Sequence, residues 1–116
     1  MIVAKKTSFD AAHWLPGYDG KCANMHGHHW IIEIAVEGEV GADGMVIDFT
    51  ELKGFLSEIK ETFDHHIIND VITNPTAENI ALWIGEKLVN WESCKIDVKL
   101  KWVKVWETEN SYAMLS

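Results

Sequence analysis

His26-Gly-His-His-Trp-Ile-Ile-Glu-Ile-Ala-Val-Glu-Gly-Glu-Val40 is the stretch on which the reading of this chain turns. Trp30, Ile32, Ile34 and Val36 alternate with other residues, the period-2 signature of a strand with one buried face, and Glu33 and Glu37 fall on the other face. Residues i and i+2 of a strand point the same way. His26 and His28 therefore present two imidazoles side by side at its start, and Gly27 between them adds no bulk.

Upstream, a first strand-like run ends at His13. If it pairs antiparallel with the His26 strand, the loop over residues 14–25 returns the chain so that His13 faces the other two imidazoles. Three histidines with an open fourth position are the catalytic form of zinc, whereas a structural site is closed by four ligands. Two other readings stay open: a bare His-x-His also suits a polar strand end, and Cys22, four residues before His26, would serve as a fourth ligand. Cys22 sits among Gly20, Lys21, Ala23 and Asn24, a polar loop that gives it no role as core filler. A neighbouring cation would raise its thiolate fraction and make it a candidate base or nucleophile. Cys94 lacks such neighbours and reads as incidental.

Downstream, Asp48 followed by Glu51 resembles a capping box, and Leu52, Phe55, Leu56, Ile59 and Phe63 recur at helical spacing, which predicts a helix over about residues 49–62. A second helix is expected after Pro75 with Thr76 as N-cap, its apolar side formed by Ile80, Trp83, Ile84, Leu88 and Trp91. The alternation Ile96, Val98, Leu100, Trp102 slips and resumes at Val103 and Val105, which predicts a strand with a bulge near Trp102. Trp83, Trp91 and Trp102 read as core; Trp14 and Trp30 adjoin candidate ligands without a clear role. The order is two long strands, two helices and a last strand or hairpin, an α+β arrangement.

The 116 residues fit one domain over 1–116, and 47% hydrophobic with 24% charged residues is ordinary for a globular protein. No apolar run approaches the ~20 residues of a membrane span. Met1 to Phe9 carries Lys5 and Lys6 without a signal-peptide core, so a cytoplasmic location is expected. A net charge of −8 and the absence of Arg oppose direct binding of nucleic acid. Any phosphate pocket must draw on the ten lysines.

Two further candidates are carboxylates. Asp64 precedes His65 and His66, and a carboxylate beside a histidine can fix its tautomer and support an imidazolium, although a loop-capping Asp beside exposed histidines has the same sequence. Glu107 ends the last strand, where it can accept paired hydrogen bonds from the amidine-like edge of a heterocycle or stand as an ordinary solvated carboxylate.

Taken together, Phe9-Asp-Ala-Ala-His13, Cys22-Ala-Asn-Met-His26-Gly-His28, Asp48-Phe-Thr-Glu-Leu52, Phe63-Asp-His-His66, Asn74-Pro-Thr-Ala-Glu78 and Trp106-Glu-Thr108 resemble the 6-pyruvoyltetrahydropterin synthase family in order and spacing over nearly the whole chain. The resemblance implies the tunnelling fold, an antiparallel sheet with two helices on one face, assembled in rings and usually as two stacked trimers. By position it implies zinc on His13, His26 and His28, Cys22 as the catalytic thiol, Asp64 and His65 as its relay, and Glu107 as the pterin anchor. Three residues between Cys22 and His26 look like the 6-carboxytetrahydropterin synthase branch; the pyruvoyl-forming branch typically has five. The implied reaction is conversion of 7,8-dihydroneopterin triphosphate to 6-carboxytetrahydropterin with release of acetaldehyde and triphosphate, on the way to 7-deazaguanines such as queuosine. The pyruvoyl-forming reaction stops before the carbon–carbon cleavage, and a zinc-bearing module without turnover is the alternative of a different class. Trp14 stands where relatives often have a basic residue, so the resemblance assigns no residue to the substrate phosphates.

Overall fold

The computed structural model describes residues 1–92 and 97–116. Four strands, β1 (Ile2–His13), β2 (His26–Gly38), β3 (Val98–Thr108) and β4 (Ser111–Leu115), form one sheet in the order β1-β2-β3-β4 with every neighbour antiparallel. Helices α1 (Phe49–Phe63) and α2 (Ala77–Glu92) lie between β2 and β3 in the chain. The α+β order expected from the sequence is the order observed, with the last element a β3–β4 hairpin.

The alternation in β2 does what its period requires. Trp30, Ile32, Ile34 and Val36 are fully buried on one face, joined by Phe9 and Ala11 from β1 and by Val103 and Val105 from β3. Burying a large side chain of this kind contributes about 1.5–3 kcal/mol, so this face carries much of the stability. Leu52, Phe55, Leu56, Ile59 and Phe63 of α1 and Ile80, Ala81, Ile84 and Leu88 of α2 complete the core. Asp48 caps α1 by accepting the Thr50 N–H at 2.8 Å, and Thr76 caps α2 by accepting the Asn79 N–H at 3.1 Å.

The slip in the last long strand is a bulge at Lys101. Ala35 faces Trp102 while Val36 faces Leu100, so Lys101 is the extra residue, and its insertion returns Leu100 and Val98 to the helix side. Trp102 is thereby placed on the opposite face, where its indole N–H donates to Glu33 at 2.8 Å; it is not part of the core, contrary to the expectation from spacing. Trp83 and Trp91 are half-buried at the core margin, Trp83 edge-on to Phe63 at 5.1 Å and Trp91 tilted against Phe55 at 5.7 Å. Trp30 is interior, with its N–H on the Ala11 carbonyl at 3.2 Å. The readings of Cys94 and Ile96 lie outside the described residues. Among the described residues no helix is long and apolar enough to cross a membrane.

Candidate metal centre

The β1–β2 register places His13 opposite His26 and Ala11 opposite His28, so all three imidazoles emerge on the helix-covered face at one end of the sheet. Their ligand atoms lie within 4.8 Å of one another, and they form a group able to hold a metal ion. His13 is buried beneath the others, and its ring stands edge-on to Trp30 at 5.0 Å.

Two backbone carbonyls fix the tautomers. His13 Nδ1–H donates to the Pro75 carbonyl at 2.8 Å, and His26 Nδ1–H donates to the Asn24 carbonyl at 2.7 Å. A carbonyl can only accept, so both Nε2 atoms carry lone pairs, and those two atoms face each other at 3.1 Å. A tetrahedral ion with Zn–N bonds of about 2.0–2.1 Å has ligand–ligand edges of roughly 3.3 Å, close to that separation. His28 Nε2 is buried without a hydrogen-bond partner. Three inward-facing Nε2 atoms, one of them orphaned and two presenting lone pairs to each other, are the donor set a cation satisfies. Orientation of ligand histidines through their other nitrogen is the usual outer-shell arrangement of metal sites.

Burial lowers the pKa of His13 and of His28, outweighing the Pro75 carbonyl and Glu107 that act the other way on His13 and Glu107 that does so on His28. Both rings are then neutral at pH 7, the form that binds metal. Glu107 leaves β3 on the same face, with Oε1 3.4 Å from His28 Nε2. Against a neutral imidazole at that separation it forms no ion pair, so its oxygens are available to a ligand.

Cys22 is a free, half-buried thiol in the 14–25 loop, just past the start of the short 3-10 turn Lys21–Ala23, and its carbonyl accepts the Leu15 N–H at 2.9 Å.

Asp64 and His65 lie elsewhere. Asp64 (φ −61°, ψ 126°), His65 (φ 60°) and the His66 N–H donated to the Phe63 carbonyl at 3.0 Å define a type II turn. Its third position ordinarily takes Gly or Asn, and here it holds an imidazole in the left-handed region. The turn is fastened to the outer edge of β1: the Asp10 N–H donates to Asp64 Oδ1 at 3.0 Å, and the His65 N–H donates to the Asp10 carbonyl at 2.7 Å. The Asp10 N–H holds the Asp64 carboxyl below its ordinary pKa, with His65 adding to the effect. Asp64 Oδ2 lies 3.1 Å from His65 Nδ1, the pairing anticipated for a carboxylate–imidazole relay. Asp10 is three residues before His13, about 10 Å along the strand.

The structure thus brings His13, His26, His28 and Glu107 together and sets Asp64–His65 apart on the edge. Sequence reasoning missed the Pro75 and Asn24 carbonyls. The Asn74-Pro-Thr-Ala-Glu78 motif was the available signal for the first, since its proline carbonyl orients His13 while Thr76 caps α2 and the Asn79 amide holds the Asn74 carbonyl at 2.8 Å.

Fold and site define a class of small α+β protein with three imidazoles and one carboxylate converging at one end of the helix-covered face of an antiparallel sheet. A model of the family described as 6-pyruvoyl tetrahydropterin synthase matches residues 2–116. A putative 6-carboxy-5,6,7,8-tetrahydropterin synthase of Archaeoglobus fulgidus is 39% identical over 113 residues, covering 97% of this chain and 93% of the relative. A dihydroneopterin monophosphate aldolase of Pyrococcus furiosus is 40% identical over 102 residues, covering 88% and 85%. The structure of Caenorhabditis elegans 6-pyruvoyl tetrahydropterin synthase superposes with a TM-score of 0.83 at 29% identity, covering 99% of this chain and 94% of that one. The chain belongs to the 6-pyruvoyl tetrahydropterin synthase family and has its tunnelling fold.

Proposed function

We propose that the protein is a zinc-dependent lyase that converts 7,8-dihydroneopterin triphosphate, with uptake of one water, to 6-carboxytetrahydropterin, acetaldehyde and triphosphate. The observation that carries the reading is the convergence of three Nε2 atoms, a group able to hold a metal ion, with the Glu107 carboxylate on one face. Zinc bound there would supply Lewis-acid polarisation of the hydroxyl-bearing side chain of the substrate. Glu107 accepts hydrogen bonds from the amino group and ring N–H of the pterin and thereby sets the side chain over the three imidazoles. Cys22 moves protons to and from the side-chain carbons. The name of the Archaeoglobus relative and the three-residue spacing from Cys22 to His26 favour this branch over the pyruvoyl-forming one.

We assign Asp64 and His65 as the relay of that thiol, acting between copies. The Asp64–His65 turn is fastened at Asp10, three residues or about 10 Å of strand before His13, whereas the Cys22 carbonyl is held by Leu15 beyond the end of β1, and this separation along the chain favours a relay between copies. The order of the sheet makes β1 and β4 edge strands, which soluble proteins cover, and a ring of copies, two trimers stacked as a hexamer, does so. The working location is the cytoplasm, and the product feeds 7-deazaguanine synthesis.

A second reading is aldol cleavage of a dihydroneopterin monophosphate. It is favoured by the name of the Pyrococcus relative and by Trp14 in place of a basic residue. Incubation of the zinc-loaded protein with each phosphate ester, followed by mass and phosphorus analysis, decides between them. Inorganic triphosphate with acetaldehyde supports the synthase. A phosphorylated two-carbon aldehyde supports the aldolase, and triphosphate without acetaldehyde supports the pyruvoyl-forming reaction. No turnover of either ester would leave a zinc-binding module.

A further inference from the structure

Asn69, in the short 3-10 turn Ile68–Asp70, spends both ends of its side-chain amide on one residue. The Trp14 N–H donates to Asn69 Oδ1 at 3.0 Å, and Asn69 Nδ2 donates to the Trp14 carbonyl at 2.8 Å. A carboxamide offers the same donor and acceptor as a peptide unit, so Asn69 acts as one rung of a strand. It continues a pairing that begins where the Ala12 N–H donates to the His66 carbonyl at 3.1 Å and Ala12 bridges Ile67 in parallel.

The rung falls on the residue immediately after His13. The Trp14 N–H belongs to the 13–14 peptide plane, and the Trp14 carbonyl shares the 14–15 plane with the Leu15 N–H, which donates to the Cys22 carbonyl at 2.9 Å. In a trans peptide these two groups point in opposite directions, so the 14–15 plane is held on one side by Asn69 and on the other by Cys22. A loop fastening needs one such bond. Two bonds to one residue fix the rotation of both planes, one leading out of His13 and one leading to Cys22.

We propose that Asn69 is a positioning residue that sets the Cys22 loop relative to the His13 imidazole. The inference rests on the reading of His13 as a zinc ligand and Cys22 as the reacting thiol. Asn69 touches neither metal nor substrate and acts through Trp14.

Two variants test it in a Cys94→Ser background, which leaves Cys22 as the sole thiol. Asn69→Asp keeps the shape but sets a second acceptor against the Trp14 carbonyl, and Asn69→Leu removes both bonds; should the Leu variant fail to fold, the isosteric Asp variant carries the test. Zinc release to a chelator is expected to accelerate up to about 10-fold, the low end of what losing a direct outer-shell partner costs, because Asn69 acts on His13 only through Trp14. Alkylation of Cys22 by iodoacetamide with zinc in place changes in rate, and kcat falls about 10-fold or more while KM stays within about threefold, because Glu107 sits on another strand. A lowered melting temperature with zinc release, alkylation and kcat unchanged would make Asn69 a loop fastening and overturn the inference alone. A parent protein that takes up no zinc would bring down the underlying reading, and the inference with it.

Discussion

The two histidine-bearing regions of this molecule are built on opposite principles. His13, His26 and His28 stand on paired strands in ordinary extended backbone, and their ring orientations are set by carbonyls of residues 24 and 75 and by the buried core beneath. His65 stands on a two-residue turn corner in the left-handed region, exposed, and held there by Asp10. The first arrangement suits a task in which atoms must not move, such as presenting three nitrogens to one ion. The second carries local strain, of order 1–3 kcal/mol, which tends to be kept where it serves a function. Precision comes from the sheet, and reach comes from its edge.

The strongest way to break this contrast is at the rigid end. His28→Ala should lose zinc, measured by elemental analysis, and turnover by three orders of magnitude or about that, since a two-histidine remnant is no catalytic zinc site. Full zinc occupancy in that variant would sink the assignment. Cys22→Ala should keep zinc and lose turnover about 100-fold or more, because the thiol is assigned to proton transfer; loss of zinc instead would point to a closed structural site. If the edge works between copies, reassembling an equal mixture of inactive Cys22→Ala and His65→Ala proteins should restore about a quarter of the parent activity, as random pairing across a symmetric interface requires. No recovery in reassembled oligomers would place both residues in one copy's site.

Next in size is Glu107→Gln, which should weaken binding of a simple pterin, measured by calorimetry, by roughly 30-fold to 1,000-fold, or on the order of 2–4 kcal/mol. Equal affinities would return Glu107 to an ordinary strand-end carboxylate. Acid should then separate the two regions. Burial holds the pKa of His13 and of His28 below 6.5, so as pH falls through 6.5 the unfolded chain binds protons before the folded one does. The metal-free protein is expected to keep the full contribution of these neutral rings above that pH and to lose stability progressively below it, until the folded rings are protonated too. A melting temperature independent of pH between 7 and 5 would contradict the buried, neutral state of the site. The smallest expected effect is at the edge: His65→Gly should raise the melting temperature by about 1–4 °C through relief of the left-handed backbone, offset by the greater freedom of glycine in the unfolded chain, while turnover falls. A lowered melting temperature would mean that the His65 ring contributes contacts worth more than the strain.

What was legible in the sequence follows from what has a period. Trp30 to Val36 alternates because a half-buried strand must, and the apolar residues of α1 repeat because one face of a helix is buried, so element order, the helix ending at Phe63 to within a residue and the bulge by Trp102 could all be read in advance. His26 and His28 followed from the same parity. Tertiary partners have no period. The Asn74-Pro-Thr-Ala-Glu78 motif marked its segment as notable, but nothing in it told that the Pro75 carbonyl would meet the ring of His13, 62 positions away. Asp64 and His65 were legible as a pair, but the turn that carries them was not: the corner of a type II turn is recognised by Gly or Asn, and a histidine there breaks the rule by which such turns are found. The inward reading of Trp102 failed because an inserted residue reverses parity, and parity was the only guide.

The long β1–β2 pair leaves the chain with principal extents of 53 × 25 × 23 Å and a radius of gyration of 15.1 Å, more than twice as long as it is wide. A compact chain of this length would have a radius of gyration of roughly 13 Å. In hydrodynamic terms a lone copy is a rod: it sediments slowly for its mass, and its rotation is anisotropic. Side-by-side assembly would bundle those rods into a squat cylinder, so the frictional ratio should fall as the mass rises. Measuring sedimentation and fluorescence depolarisation together through a dilution series would then separate the coming together of copies from any unfolding that accompanies their release, because unfolding raises friction without the matching return of rod-like tumbling.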